Sequence, residues 1–168
     1  MRTMKLRGHS CIDGIDLRIL DALQKNARAP LASIAEDSGI SSPPTLRRIR
    51  RLKERGFIRG YHAHLNSSML GFDLLSFVSV NLRSQSEIAI KTFESEIRSN
   101  ENVRECYAVS GNRDFLLKCA FRDEVEKSRF VFEFMTGLDN IDRVTVLNCI
   151  AVCKELAGFP IETALTSL

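Results

Sequence analysis

Apolar residues recur at helical spacing near the start of the chain. Ile15, Ile19, Leu20 and Leu23 follow Asp13, a capping residue, and Asn26 and Pro30 end the run. A second, shorter helix fits 31–38, with Leu31, Ile34 and Ala35 on one side and Gly39 as its terminating glycine. Ser41-Ser42-Pro43-Pro44 predicts the start of a third helix, a serine cap followed by proline at the first helical position, running to about residue 55 before Gly56. On its wheel Thr45, Ile49 and Leu52 form the inner stripe. Arg47, Arg50 and Arg51 point away from it, and Arg48 and Arg55 lie at the side. From 57 to 71 the pattern changes to a short strand and a linker. Strands then fit 75–83, 103–109, 115–121 and 144–153. Helices fit 87–99 and a stripe of Val131, Phe134, Met135 and Leu138 ended by Gly137. The order strand-helix-strand-strand-helix-strand is the split ferredoxin-like pattern.

Three short helices, the last one basic, describe a helix-turn-helix unit. The fold class expected is therefore α+β, with boundaries at 1–60 for the helical unit, 61–73 for a linker strand and 74–168 for the ferredoxin-like domain. The last strand is apolar on both sides: Leu147, Cys149, Ala151 and Cys153 oppose Val146, Asn148, Ile150 and Val152. Two helices cover one face of a four-stranded sheet, so a second subunit is expected on the other.

Charge sharpens this division. The 168 residues carry 24 Lys+Arg and 21 Asp+Glu, a net of only +3. Residues 1–60 hold 13 Lys+Arg and 6 Asp+Glu, a net of +7, which leaves −4 for the remainder. Seven of the 13 cations fall between Arg47 and Arg59, where Glu54 is the sole acid. A solvated helix face is one reading of such a run. At this density, on the last helix of a helix-turn-helix, a nucleic-acid footprint is the better one. Arginine grips phosphates in a fork and reads guanine edges, and a helix N-terminus favours a phosphate.

The five cysteines, at 11, 106, 119, 149 and 153, form no CxxC pair, so neither disulfides nor zinc is expected and a reduced cytoplasm is. His62 and His64 read as polar strand residues rather than ligands. No apolar stretch is long enough for a membrane helix. The first ten residues are polar and basic, so no secretory signal is expected; residues 1–13 read as a loose leader.

The chain resembles the Lrp/AsnC family, the leucine-responsive or feast/famine transcription regulators. Three separated motifs carry the resemblance in one order. They are IDGIDLRILDALQKNAR, then LASIAEDSGISSPPTLRRIRRLKERGFIRGYHAHLN, then VRECYAVSGNRDFLLK. The resemblance implies a winged-type helix-turn-helix followed by a ferredoxin-like effector-binding and dimerisation (RAM) domain. It also implies a small effector, usually an amino acid, near the Gly-x-x-Asp turn where dimers meet. Here that turn is Ser110, Gly111, Asn112, Arg113 and Asp114, followed by Phe115 where the family more often has Tyr. Turn N–H groups suit a carboxylate and Asp114 suits an ammonium. A plain hairpin turn, with Gly111 at positive φ and Asp114 as a local cap, is the other reading of these residues.

The expected function is thus a sequence-specific DNA-binding regulator and not an enzyme. Ser42, Thr45, Arg47, Arg48, Arg50 and Arg51 are the candidate contacts to double-stranded DNA. No cofactor is expected. The expected assembly is a homodimer built into a higher oligomer such as an octamer. Two alternatives stand beside this one. A tetrapyrrole decarboxylase-like enzyme is disfavoured because no histidine follows His64, leaving Tyr107 and Arg113 as poor catalysts. An architectural protein with little sequence preference would use the same arginines.

Overall fold

The computed structural model describes residues 12–155 and 158–161. The chain forms two compact units. One comprises the chain up to residue 64 together with the segment from 154 onward, and the other comprises 65–153. The division falls inside the expected 61–73 linker, and the end of the chain groups with the first unit rather than the second. The leader expected over 1–13, with Cys11, lies outside the described residues as far as residue 11.

The first unit holds three helices: α1 (Gly14–Lys25), α2 (Leu31–Ser38) and α3 (Ser42–Glu54). A reciprocal capping box starts α1. The Asp16 N–H donates to Asp13 Oδ1 at 2.9 Å, and the Asp13 N–H reaches back to Asp16 Oδ2 at 3.4 Å. Gly39 ends α2 at φ 71°, a left-handed position that glycine adopts without a Cβ clash. The start of α3 departs from expectation, because Ser41 sits at the cap position but its side chain accepts no hydrogen bond. A serine cap serves the N–H groups two and three residues on, and here those are Pro43 and Pro44, which have none. The Ser41 carbonyl instead accepts from the Thr45 N–H at 3.3 Å and the Thr45 hydroxyl at 2.9 Å. Ile12, Leu17, Ile19, Leu23, Ile34 and Leu52 form the core between the helices. Ile161 packs against that core, and Gln24 and Phe159 exchange two 2.7 Å hydrogen bonds through the Gln24 side-chain amide.

No strand forms between Phe57 and Leu65, because among the described residues no strand pairs with this segment; the residues from 59 to 71 are exposed. Among the described residues neither His62 nor His64 belongs to a metal-type cluster, and His64 lies 3.4 Å from Glu155.

The second unit contains β1 (Leu74–Leu82), α4 (Glu87–Ser99), β2 (Val103–Ala108), β3 (Phe115–Phe121), α5 (Glu124–Arg129) and β4 (Ile141–Asn148). The sheet order is β2-β3-β1-β4 and all neighbours are antiparallel, the ferredoxin-like topology expected. After α5 the chain continues as a π-helical turn over Phe130–Met135 rather than as one regular helix. Phe130 and Met135 are both buried and five residues apart. The wider π turn brings that spacing onto one face.

β4 ends at Asn148, five residues before the expected end. Its partner β1 begins at Leu74, and Ser76 already opposes Asn148, so the ladder runs out after one more bond, Cys149 N–H to Leu75 O. Residues 150–155 are exposed.

Register defines the two faces of the sheet. Val78, Leu117 and Val146 lie opposite one another on the helix side, with Val80, Phe115, Cys119 and Phe121, and pack on Phe93, Ile97, Phe130 and Met135. The other side carries Phe77 between Lys118 and Leu147, and Ser79 between Leu116 and Thr145. It is mixed rather than wholly apolar, with a Glu105–Lys118 ion pair at 3.1 Å. Cys119 is fully buried, and burial, with a smaller contribution from Cys106, pushes its thiol up to about 12. Iodoacetamide at pH 8 is therefore expected to leave Cys119 unlabelled in the native protein and to label it in urea, as read by peptide mass spectrometry.

Candidate nucleic-acid interface and effector turn

Position along α3 sorts its arginines. Arg47 and Arg50 are three residues apart on one stripe, and both are exposed. Arg48 and Arg51 occupy the adjoining stripe, which faces the start of α1. Arg48 Nη1 lies 2.8–2.9 Å from both Asp13 oxygens and 2.8 Å from Asp16 Oδ1. Arg51 Nη2 lies 3.0 and 2.8 Å from the two Asp16 oxygens. Arg51, expected on the outward face, is thus turned back onto α1. Thr45, expected both in the inner stripe and among the DNA contacts, takes the first role alone, since it is fully buried. Ser42 is half-buried at the first turn. Lys53 is exposed, and the Arg55 guanidinium stacks 5.3 Å over the Phe57 ring.

The acid pair was missed by sequence reasoning as a partner for arginines. The signal present was two carboxylates three residues apart at a helix start, which the capping role alone explains. Burial by itself would raise the Asp13 carboxyl. The Asp16 N–H and the Arg48 guanidinium outweigh that and hold it below its ordinary value. The stabilisation this carries is present above the ordinary carboxylate range and is lost as pH falls through the lowered value. The Asp16 and Asp13 carboxylates in turn raise Arg48 against the effect of its burial.

The expected effector residues form the turn between β2 and β3. Ser110, Gly111 and Asn112 are exposed, and Gly111 sits at φ 123°, where side chains are strained. Asp114 is directed inward. Its Oδ2 accepts from the Leu82 N–H at 2.7 Å and its Oδ1 from Gln85 Nε2 at 2.8 Å, while its own N–H donates to Val80 O. Arg113 donates to Asn81 Oδ1 at 3.1 Å, and Asn81 donates to Asn112 O at 3.0 Å. The turn is thereby fastened to the end of β1. Gln85 is a second residue that sequence reasoning missed, since nothing local links it to Asp114. Asp114→Ala leaves the Leu82 N–H without its acceptor, and the expected cost is about 1–3 kcal/mol, read as a lower midpoint in thermal unfolding.

A cleft of about 460 Å³ opens between α4 and β2, lined by Glu94, Arg98, Arg104 and Cys106 over Ile97 and Phe115. Tyr107 donates to Glu105, which raises its phenol above the ordinary value. Among the described residues no helix is long and apolar enough to cross a membrane, and no three metal-binding side chains cluster.

A family model for winged helix-turn-helix DNA-binding matches residues 12–59, and one for the Lrp/AsnC ligand binding domain matches residues 75–157. A DNA-binding helix-turn-helix joined to a ligand-binding domain defines the chain as a DNA-binding transcription regulator. It belongs to the Lrp/AsnC family. It is 43% identical over 144 residues to the leucine-responsive regulatory protein of Rhizobium meliloti, covering 86% of this chain and 92% of that one. It is 35% identical over 130 residues to the proline dehydrogenase transcriptional activator of Rhodobacter capsulatus, covering 77% and 84%. In structure it resembles a Neisseria meningitidis transcriptional regulator solved in complex with L-Met, with a TM-score of 0.85, 27% identity and coverage of 91% and 99%. An AsnC family regulator from Agrobacterium tumefaciens gives 0.83, 28%, 90% and 99%.

Proposed function

We propose that this regulator binds operator DNA as a homodimer, with Arg47 and Arg50 of each α3, and Ser42 at its first turn, facing the major groove. The observation that carries this reading is the exposed pair Arg47 and Arg50 on the third helix of a helix-turn-helix, with Glu54 as the one acid on that stripe, in the helix's last turn. Two such helices in one dimer read half-sites about one helical turn apart. Binding that rests on arginine–phosphate contacts weakens steeply with salt. A gel-shift titration over roughly 50 to 200 mM KCl tests it, and a flat response overturns it.

The second unit senses an amino acid at the Ser110–Asp114 turn. Support comes from the exposed N–H groups at its tip, which suit a carboxylate, and from relatives named for leucine or solved with L-Met. Both Asp114 oxygens are already occupied within the chain, so the ammonium of such a ligand must displace Gln85 or find another acceptor. A thermal-shift screen of the amino acids at millimolar concentration tests the effector, since a ligand of the folded state raises the melting temperature. No shift with any of them counts against it.

The chain works in the cytoplasm, as an assembly in which further dimers join toward an octamer, and it catalyses no reaction. The free thiols at Cys106, Cys119, Cys149 and Cys153 suit a reducing compartment. The protonated Tyr107 phenol and the tethered Arg113 are poor catalysts.

A further inference from the structure

We infer that Asp13 and Asp16 act as an internal substitute for phosphate, withholding Arg48 and Arg51 from the duplex and so limiting affinity for DNA of any sequence. The inference rests on α3 facing DNA as proposed above. Asp16 is almost wholly buried, its side chain 1% exposed, and yet it accepts from two arginines. Asp13 is 16% exposed, and both of its oxygens lie within 2.9 Å of Arg48 Nη1. A carboxylate presents an arginine with two oxygens in one plane, the geometry a phosphate also offers. A guanidinium held this way has its charge neutralised in place. Four arginines lie between Arg47 and Arg51. The acid pair divides them into two without an acid partner among the described residues and two tied to α1, of which Arg51 keeps 47% of its side chain exposed.

The division has a functional consequence. Each cation that meets a phosphate releases counterions and adds to binding on every sequence alike. A regulator must find one site among many competing ones, so affinity for random DNA lowers its effective selectivity. Holding Arg48 and Arg51 in place lets the helix keep their packing and hydrogen bonds without that contribution. Asp13 and Asp16 are therefore positioning residues for DNA recognition. They act through the arginines and touch no nucleic acid.

The test is the dependence of binding on KCl concentration, measured on a random-sequence duplex with the full chain. Asn is nearly as good a helix cap as Asp, so Asp13→Asn removes charge while keeping the start of α1. It is expected to tighten binding to random DNA and to steepen the plot of log K against log salt, by up to about 0.9 for each arginine released. Arg51→Gln is expected to leave that slope unchanged, whereas Arg47→Gln with Arg50→Gln is expected to flatten it. Asp16→Asn should act as Asp13→Asn does. Because it sits in the core, its folding is checked by circular dichroism, and Asp13→Asn decides the matter if it fails to fold. A purely structural ion pair gives a different pattern, with Asp13→Asn weakening binding to all DNA and no steepening, and that result overturns the inference. So does a flattening by Arg51→Gln equal to that of the Arg47 and Arg50 changes. If the Arg47 and Arg50 changes also leave the slope untouched, the DNA-facing reading of α3 itself fails.

Discussion

Replacing Phe121 by alanine is expected to destabilise the second unit by about 3–5 kcal/mol, a loss that only a large side chain in a closed core produces. The ring is fully buried at the end of β3, opposite Leu74 of β1, and lies 5.3 Å from the tilted ring of Phe130 on the π-helical turn. Alanine removes the packing that joins the sheet to that turn and leaves a cavity which a close-packed layer fills poorly. Phe130 also stacks on Phe134 at 5.4 Å, so the defect propagates along the aromatic row. Urea unfolding followed by circular dichroism measures the effect. The chain has two units, and the transition assigned to the first should keep its midpoint while the other moves. Phe121→Leu, which refills most of the space, should recover much of the stability. A loss under about 1 kcal/mol for alanine would mean that the core is not packed as described.

The second large effect is on DNA. Arg47→Ala and Arg50→Ala are each expected to weaken operator binding by about 1–3 kcal/mol where the arginine reads a base, roughly one to two orders of magnitude. Both side chains are exposed, so the melting temperature should hardly change, which separates impaired recognition from an impaired fold. Specific and random duplexes compared at one salt concentration distinguish base reading from phosphate anchoring. Removing an arginine that reads a base lowers the ratio of the two affinities, whereas removing one that only anchors on phosphate leaves the ratio intact. If both variants bind operator as the parent does, the recognition face lies elsewhere on the unit. An architectural protein would bind both duplexes equally well from the start.

Much of this molecule was legible in its sequence. The bounds of α2 and α4 follow from apolar spacing and capping residues, and β3 alternates so strictly that its ends coincide with expectation. The four-strand order follows from the alternation of periods. What sequence reading missed depends on partners distant in the chain. The end of β4 is set by where β1 begins, and no local pattern marks that point. The segment around His62 and His64 has the composition of a strand but no neighbouring strand among the described residues. In the candidate site, Arg47 and Arg48 are adjacent and chemically identical. Only the packing of α1 against α3 places one in solvent and the other on two aspartates. Asp114 poses the same difficulty, because its role depends on Gln85 and Leu82, some thirty residues earlier.

The proline pair at the start of α3 has a consequence for how the duplex can be held. A helix end normally offers a phosphate a small crown of unpaired backbone donors. Here Pro43 and Pro44 contribute none, and the Thr45 N–H is already spent on the Ser41 carbonyl. The backbone grip that many recognition helices add to their side chains is thus largely missing. Anchoring falls to guanidinium groups, which are long, mobile and individually replaceable. If α3 faces the duplex as proposed, binding strength is set residue by residue, and substitutions along one helix stripe tune it over a wide range without disturbing the fold that presents it.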